Sequence, residues 1–330
     1  MGFSRDGHWV WDFWVADDGD LFHLFYLHAP VSLVDPDLRH RNARIGHATS
    51  ADLIDWDDHG TVLGPGGPGD LDASATWTGS VVRGDDGAWR MFYTGSAFLS
   101  AAEITNIETI GVAVSDDLFH WRKDDRLRLQ ADPRWYEVLP DRTWHEEAWR
   151  DPWVFRDPGG EGWHMLITAR VRDGASVRDR GVVGHAVSPD LVDWQVQSPL
   201  TEPGAGFAHL EVPQSVRLDG RDWLLFSCDT AHLAGERSGG PGGIWIAPSA
   251  SPVGPFELEA ADLLLDERYY AGRVVVDRDG SPHLLAFENT GEAGGFGGRI
   301  TDPIRLTTEP DGSGGMRPRA AIDETETKTR

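Results

Sequence analysis

Ile45-Gly46-His47-Ala48-Thr49-Ser50-Ala51-Asp52-Leu53-Ile54-Asp55-Trp56 is one of three clear copies of a single pattern in this chain. It returns as Ile110-Gly111-Val112-Ala113-Val114-Ser115-Asp116-Asp117-Leu118-Phe119-His120-Trp121. It returns again as Val183-Gly184-His185-Ala186-Val187-Ser188-Pro189-Asp190-Leu191-Val192-Asp193-Trp194. A degenerate fourth copy starts at Ile244 and ends at Phe256. Side chains alternate in each copy as they do on a strand with one covered face. Ser-x-Asp-Leu then makes a turn, because Ser and Asp side chains bond nearby backbone amides. The aromatic that follows closes a layer. A unit returning roughly every 60 residues marks a repeat architecture.

Upstream of each copy lies a hairpin, and a fifth hairpin follows the last one. Their turns are Asp18-Gly19, Asp86-Gly87, Pro158-Gly159-Gly160, Asp219-Gly220 and Asp279-Gly280, and Asp-Gly is a strong hairpin signal. The returning strands, 21–27, 89–94, 163–168, 223–227 and 283–287, are apolar and aromatic. The sequence therefore predicts an all-β chain: a five-bladed β-propeller with four antiparallel strands per blade and no helix of consequence. A β-sandwich would not produce five similarly ordered units. The propeller is expected to occupy residues 1–307. The remainder, 308–330, carries Gly312, Gly314, Gly315 and an acidic run from Asp323, and reads as a disordered tail.

The 330 residues are 40% hydrophobic and 25% charged, a globular balance, with 15 Trp mostly in strand-like segments. A formal charge of −24 opposes nucleic acid, anionic membranes and anionic substrates as partners, and leaves a neutral one. The single cysteine, Cys228, excludes an internal disulfide. Neither a signal peptide nor a membrane-spanning run is legible, so a cytoplasmic protein, monomeric or homodimeric, is expected.

In a propeller the innermost strand of each blade starts at the mouth of the central channel. Those starts are Trp11-Asp12-Phe13-Trp14, Trp77-Thr78-Gly79-Ser80, Arg150-Asp151-Pro152, Leu210-Glu211-Val212-Pro213 and Tyr270-Ala271-Gly272. Asp12, Asp151 and Glu211 occupy equivalent positions, so three acids converge at one mouth. Converging carboxylates raise one another's pKa, and paired carboxylates are the machinery of glycoside hydrolysis. Taken singly, Asp12 reads equally well as a backbone cap, Arg150-Asp151 as a structural ion pair, and Glu211 as a rim residue. Trp11, Trp14 and Trp77 are candidate platforms for sugar rings, with Trp9, Trp149 and Trp153 close by. Arg150 is a bidentate donor, and Ser80 and His209 complete the candidate substrate-binding set.

At these residues the chain resembles the fructan-active glycoside hydrolases, families 32 and 68 of clan J, which are five-bladed propellers with three central acids. The resemblance implies that Asp12 is the nucleophile, its Trp-Asp-Phe-Trp setting being nearer to family 68. Asp151, within Arg-Asp-Pro, matches the transition-state stabiliser, and Glu211, two residues before Pro213, matches the acid/base. Trp77-Thr78-Gly79-Ser80 resembles the pocket-lining motif of the second blade, and Ser-x-Asp-Leu-x-x-Trp is typical of family 32. Nothing after Leu306 reads as the second β-sandwich of family 32. The implied chemistry is retaining hydrolysis of β-fructofuranosides such as sucrose, with fructosyl transfer as a variant, and it requires no cofactor and no metal.

Two other readings compete: an inverting arabinan- or xylan-type enzyme like those of family 43, and a sugar-binding propeller without catalysis. The His residues (His23 and His28, or His145 beside Glu146 and Glu147) lack zinc-site spacing. Gly294-Gly295-Phe296-Gly297-Gly298 has no Lys-Ser/Thr and no following helix, so it reads as a turn and not a phosphate loop. The longer segments 72–77 and 96–108 are candidate specificity loops.

Overall fold

The computed structural model describes residues 2–100, 102–174, 176–291, 294–310 and 316–321. Twenty strands form five four-stranded antiparallel sheets. The first blade comprises β1 (His8–Asp17), β2 (Phe22–Pro30), β3 (Arg44–Ser50) and β4 (Asp57–Leu63). The second comprises β5 (Ala75–Arg83), β6 (Trp89–Phe98), β7 (Asn106–Ser115) and β8 (Arg122–Leu129). The third holds β9 (Trp149–Arg156), β10 (Trp163–Arg170), β11 (Gly181–Ser188) and β12 (Gln195–Gln197). The fourth holds β13 (Glu211–Leu218), β14 (Arg221–Cys228), β15 (Gly243–Ser249) and β16 (Asp262–Asp266). The fifth holds β17 (Tyr269–Val276), β18 (Pro282–Glu288), β19 (Ile304–Pro310) and β20 (Met316–Ala321). The five-bladed architecture is the one expected from the repeats.

One expectation is corrected. Residues 308–310 and 316–321, assigned above to a disordered tail, lie in β19 and β20, which pair from Arg305–Ala321 to Pro310–Met316 and complete the fifth blade. An edge strand needs only one apolar contact face, so its polar sequence gave no strand signal; Ala320 supplies the contact against the fourth core cluster. Residues 311–315, with the three glycines, and 322–330, with the acidic run from Asp323, fall outside the described ones.

The repeated turn follows its sequence logic. Ser50 Oγ accepts from the amides of Asp52 and Leu53, and Asp52 Oδ1 from those of Ile54 and Asp55. Ser115–Asp117 and Ser188–Asp190 repeat the arrangement. Leu53, Leu118 and Leu191 sit there at φ 67°, 65° and 68°. That backbone is unfavourable for leucine, but all three side chains are buried, 1–2% exposed, and the burial offsets it.

The inner strands β1, β5, β9, β13 and β17 stand side by side around the centre, with β17 back against β1. Closure is non-covalent: Phe3 bridges to Ile300 and the Val10 amide donates to Gly298 O at 2.9 Å. Each inner strand breaks register with its neighbour at the equivalent place: Val10/Phe13, Trp77/Gly79, opposite Leu166/Thr168, Glu211/Gln214 and Tyr270/Arg273. These bulges put Asp151, Val212 and Ala271 at φ 59°, 53° and 50°. A bulged amide leaves the ladder and needs another acceptor. The preceding blade provides it in three cases: Thr94 Oγ1 for Asp151 N (2.9 Å), Asp151 Oδ2 for Val212 N (3.0 Å) and Ser227 Oγ for Ala271 N (3.1 Å).

Thr94→Val keeps the β-branched shape of a fully buried residue while stranding the Asp151 amide. It is expected to cost roughly 1–3 kcal/mol, read as a lower midpoint in urea unfolding. An unchanged midpoint would mean that the bulge does not depend on this cap.

Candidate active site

A cleft of about 340 Å³ opens where the five inner strands begin. Asp12, Asp151 and Glu211 all line it, together with Trp11, Trp77 and Arg150. Three other residues singled out from sequence do not. Trp14 is completely buried and stacks on Phe25, with centroids 6.1 Å apart. Ser80 Oγ accepts from Val154 N at 3.0 Å inside the wall. The cause is the same for both: strand parity places 12 with 14 and 78 with 80, but the bulges at Val10/Phe13 and Trp77/Gly79 shift that parity. Thr78 therefore lines the cleft where Ser80 was expected. His209 is 3% exposed and lies behind the lining, its Nδ1 3.4 Å from Arg150 Nη2. Of the further aromatics, Trp149 is core and Trp153 packs under Arg273.

The three acids are held differently. Asp12 Oδ2 accepts a 2.5 Å hydrogen bond from the Thr78 hydroxyl. Burial first, and then the nearby Asp151 carboxylate, push its pKa up to about 7, while Thr78 and Arg39 pull the other way. Glu211 Oε2 accepts from Tyr270 OH at 2.6 Å and Oε1 from Arg150 Nη2 at 2.7 Å. Its pKa is also raised, by burial above all, with Arg150 opposing and Asp151 adding to the rise. Asp151 carries a structural load as well, because Oδ2 receives both the Val212 amide and the Thr168 hydroxyl (2.9 Å).

Arg150 is the hub of the site. Nη1 lies 3.1 Å from both Glu108 oxygens and 3.0 Å from Glu146 Oε1, and Nε is 3.9 Å from Asp151. Burial disfavours its charge, yet Glu108, Glu146 and Glu211 hold its pKa well above the ordinary value. Glu108 is fully buried and pushed up to about 8, mainly by desolvation, with Arg150 opposing. For Glu146 burial also works upward, but Arg150 outweighs it and the net shift is down. The guanidinium is thus committed to protein carboxylates, and it positions Glu211 instead of standing free as a sugar clamp.

Residues that the sequence reading passed over complete the lining. Tyr270 is the second residue of the fifth inner strand and stands at the repeat position, a signal available in the sequence. Glu146, four residues before Arg150, was set aside with His145 and Glu147 as a weak metal candidate; Glu147 instead accepts from Leu139 N. Asp229 grips His232 through both the backbone amide and Nδ1 (3.1 and 2.6 Å). Arg39 and His40 come from the irregular stretch between β2 and β3, where no periodic pattern marks them.

The sequence model for the glycosyl hydrolases family 32 N-terminal domain matches residues 15–292, most of the chain. Asp151 and Glu211 fall inside that span and Asp12 just outside it. The raffinose invertase of Escherichia coli is 28% identical over 292 residues, covering 84% of this chain and 55% of its own length. The sucrose-6-phosphate hydrolase of the same organism is 27% identical over 289 residues, 83% and 53% respectively. The chain thus spans about half the length of these relatives. The inulosucrase of Halalkalicoccus jeotgali, solved with kestose, superposes with a TM-score of 0.77 at 24% identity, covering 97% of this chain and 89% of that one. Bacillus subtilis levansucrase gives 0.73 at 15%, covering 98% and 88%. At these identities the two structures share the fold. No helix among the described residues is long and apolar enough to cross a membrane.

Two substitutions at the cleft should move stability in opposite directions. The Asp12 pKa is raised on folding, from 3.8 to about 7, so its contribution is intact below pH 4 and lost as pH rises through 7. Asp12→Asn keeps an acceptor for Thr78 and removes that loss. It is expected to be more stable than the parent at pH 8 by roughly 1–3 kcal/mol, discounted for partial exposure, and equal to it near pH 4. Asp151→Ala strands the Val212 amide and is expected to lose roughly 2–3 kcal/mol. Thermal melts of both variants at pH 4 and pH 8 provide the check.

Proposed function

The chain belongs to glycosyl hydrolase family 32, and we propose that it is a retaining β-fructofuranosidase, acting on sucrose or short fructo-oligosaccharides and transferring the fructosyl group when a sugar replaces water. The observation that carries this reading is the pairing of Asp12 and Glu211 across one cleft, each held by a hydroxyl donor, with burial raising the pKa of Glu211 as a proton donor requires. In the first step Asp12 attacks the anomeric carbon and the bond to the departing oxygen breaks. The Glu211 proton passes to that oxygen. In the second step Glu211 takes a proton from water as the oxygen of that water displaces the Asp12 carboxylate. Asp151 offers its remaining oxygen to the furanose hydroxyls, and Trp11 and Trp77 flank the ring.

Membership of family 32 sets aside the arabinan-type alternative. The cytoplasm as location and a monomer or homodimer as state belong to the same proposal. A neutral substrate is favoured by charge: Asp12, Glu146, Asp151, Glu211 and Asp229 face the cleft against two guanidinium groups, Arg39 and Arg150, the second of them already committed. A phosphorylated sugar would meet this field unfavourably.

Fructose release from sucrose by the wild type, falling about 10³-fold or more in Glu211→Gln, is the expected result. Sugar binding without turnover in the wild type would leave a non-catalytic propeller. Sucrose should exceed sucrose 6-phosphate in kcat/KM by about tenfold or more, and the reverse preference would refute the neutral-substrate assignment. Tyr270 OH stabilises ionised Glu211, so Tyr270→Phe raises the Glu211 pKa further. The alkaline limb of kcat/KM against pH should therefore move to higher pH, and a shift to lower pH would contradict the donor assignment.

A further inference from the structure

The commitment of Arg150 leaves the cleft without its expected donor to the sugar, and a second guanidinium stands in the wall. Arg39 lines the cleft on the Asp12 side, carried by the 3-10 segment Pro36–Asn42. Its side chain is 12% exposed. Nη1 donates to Pro36 O at 2.9 Å and reaches Asp37 at 3.5 Å. Nε is buried without any partner, and Nη2 makes no hydrogen bond among the described residues. A buried N–H left without an acceptor is costly, and ligand-binding sites are where such groups persist.

The segment is built and not merely adjacent. Asp35 caps its start through the Asp37 amide (3.0 Å), and Trp77 Nε1 donates to His40 O at 2.8 Å. Arg41 crosses to Ser100 O at 2.8 Å and lies over Phe98. The Arg39 guanidinium lies 4.1 Å from the centroid of Phe296 and 5.8 Å from that of Trp11. Phe296 comes from the glycine-rich turn 294–298, which also supplies Gly298 O to the Val10 amide. That turn, which no catalytic role absorbs, therefore backs the guanidinium plane with an aromatic face. A planar donor with Phe296 beneath it and Trp11 nearby has its freedom to turn reduced.

We propose that Arg39 is the substrate-facing guanidinium of this site, donating from Nη2 to a hydroxyl of the sugar ring that lies against Asp12, with Phe296 as its positioning residue. The assignment rests on the β-fructofuranosidase reading for the identity of that ring. The chemistry it requires is a hydroxyl oxygen in the plane of the guanidinium, which a rigid planar donor meets in one direction and the flexible point charge of a Lys does not. Arg39 also lowers the Asp12 pKa, which accords with its facing the same space.

The test is steady-state kinetics on sucrose and kestose for Arg39→Gln, Arg39→Lys and Phe296→Leu, with melting temperatures to confirm folding. Arg39→Gln is expected to raise KM by about tenfold or more while kcat falls less. Arg39→Lys should recover only part of the loss, and Phe296→Leu should move KM in the same direction by a smaller factor. Unchanged KM in Arg39→Gln, a loss confined to kcat, or full recovery with Lys would overturn the proposal. Wild type and Glu211→Gln are assayed alongside. If the wild type releases no fructose, the functional reading fails on its own. Calorimetric binding of sucrose to wild type and Arg39→Gln then decides the Arg39 assignment separately: weaker binding by the variant supports it and equal binding overturns it.

Discussion

The site depends on a backbone irregularity repeated five times. Each inner strand bulges near the central cleft, and in the first four blades a bulged residue lines the common space: Trp11 and Asp12, Thr78, Asp151, and Val212. The bulge frees an amide that the next strand cannot accept. A hydroxyl or carboxylate from the neighbouring blade takes that amide at Asp151, Val212 and Ala271. These bonds tie the third blade to the second, the fourth to the third and the fifth to the fourth. Three of the blade-to-blade junctions and the site geometry are therefore maintained by the same contacts, while the fifth blade closes on the first through the Phe3 bridge to Ile300 and the Val10 amide on Gly298 O. Left-handed backbone at Val212, a β-branched residue, persists because the surrounding bonds over-determine it.

On this scaffold the electrostatics divide into two layers. Arg150 and its partners Glu108 and Glu146 form a nearly closed ion cluster whose exposed edge is the bond to Glu211. A buried cluster of this kind is weak as a source of stability, but it fixes where Glu211 lies. In front of it, burial raises the pKa of both Asp12 and Glu211, against the opposing pull of Thr78 and Arg39 on the first and of Arg150 and Tyr270 on the second. Holding two carboxylates in a buried cleft costs stability at high pH, and in the proposed reaction the proton that burial favours on Glu211 is the one given to the leaving oxygen.

Much of this was legible before the structure. The Ser-x-Asp-Leu turns and Asp-Gly hairpins are local chemistry, so copies of them expose the blade count directly. The three acids were found by their equivalent positions within the repeat. Trp14, named for its place beside Asp12, and Ser80, named from a motif, do not line the cleft, because a bulge changes strand parity without altering composition. Arg150 was read as free because Glu108, its main partner, stands 42 residues away in β7. β20 was missed since Met316–Ala321 is an edge strand with little apolar demand. Arg39 sits in a stretch without periodicity, where only the folded chain shows what it faces.

The central claim is that Asp12 carries the fructosyl group between two steps. The most direct measurement is mass spectrometry of Glu211→Gln, acid-quenched after reaction with β-fructosyl fluoride, whose leaving group needs no proton. Loss of the base slows hydrolysis of the intermediate, so the peptide containing Asp12 is predicted to gain the mass of one fructosyl residue. A fructosyl adduct on Asp151 or any other residue, or turnover of the fluoride with no adduct and inverted configuration in the product formed with methanol, would contradict the account.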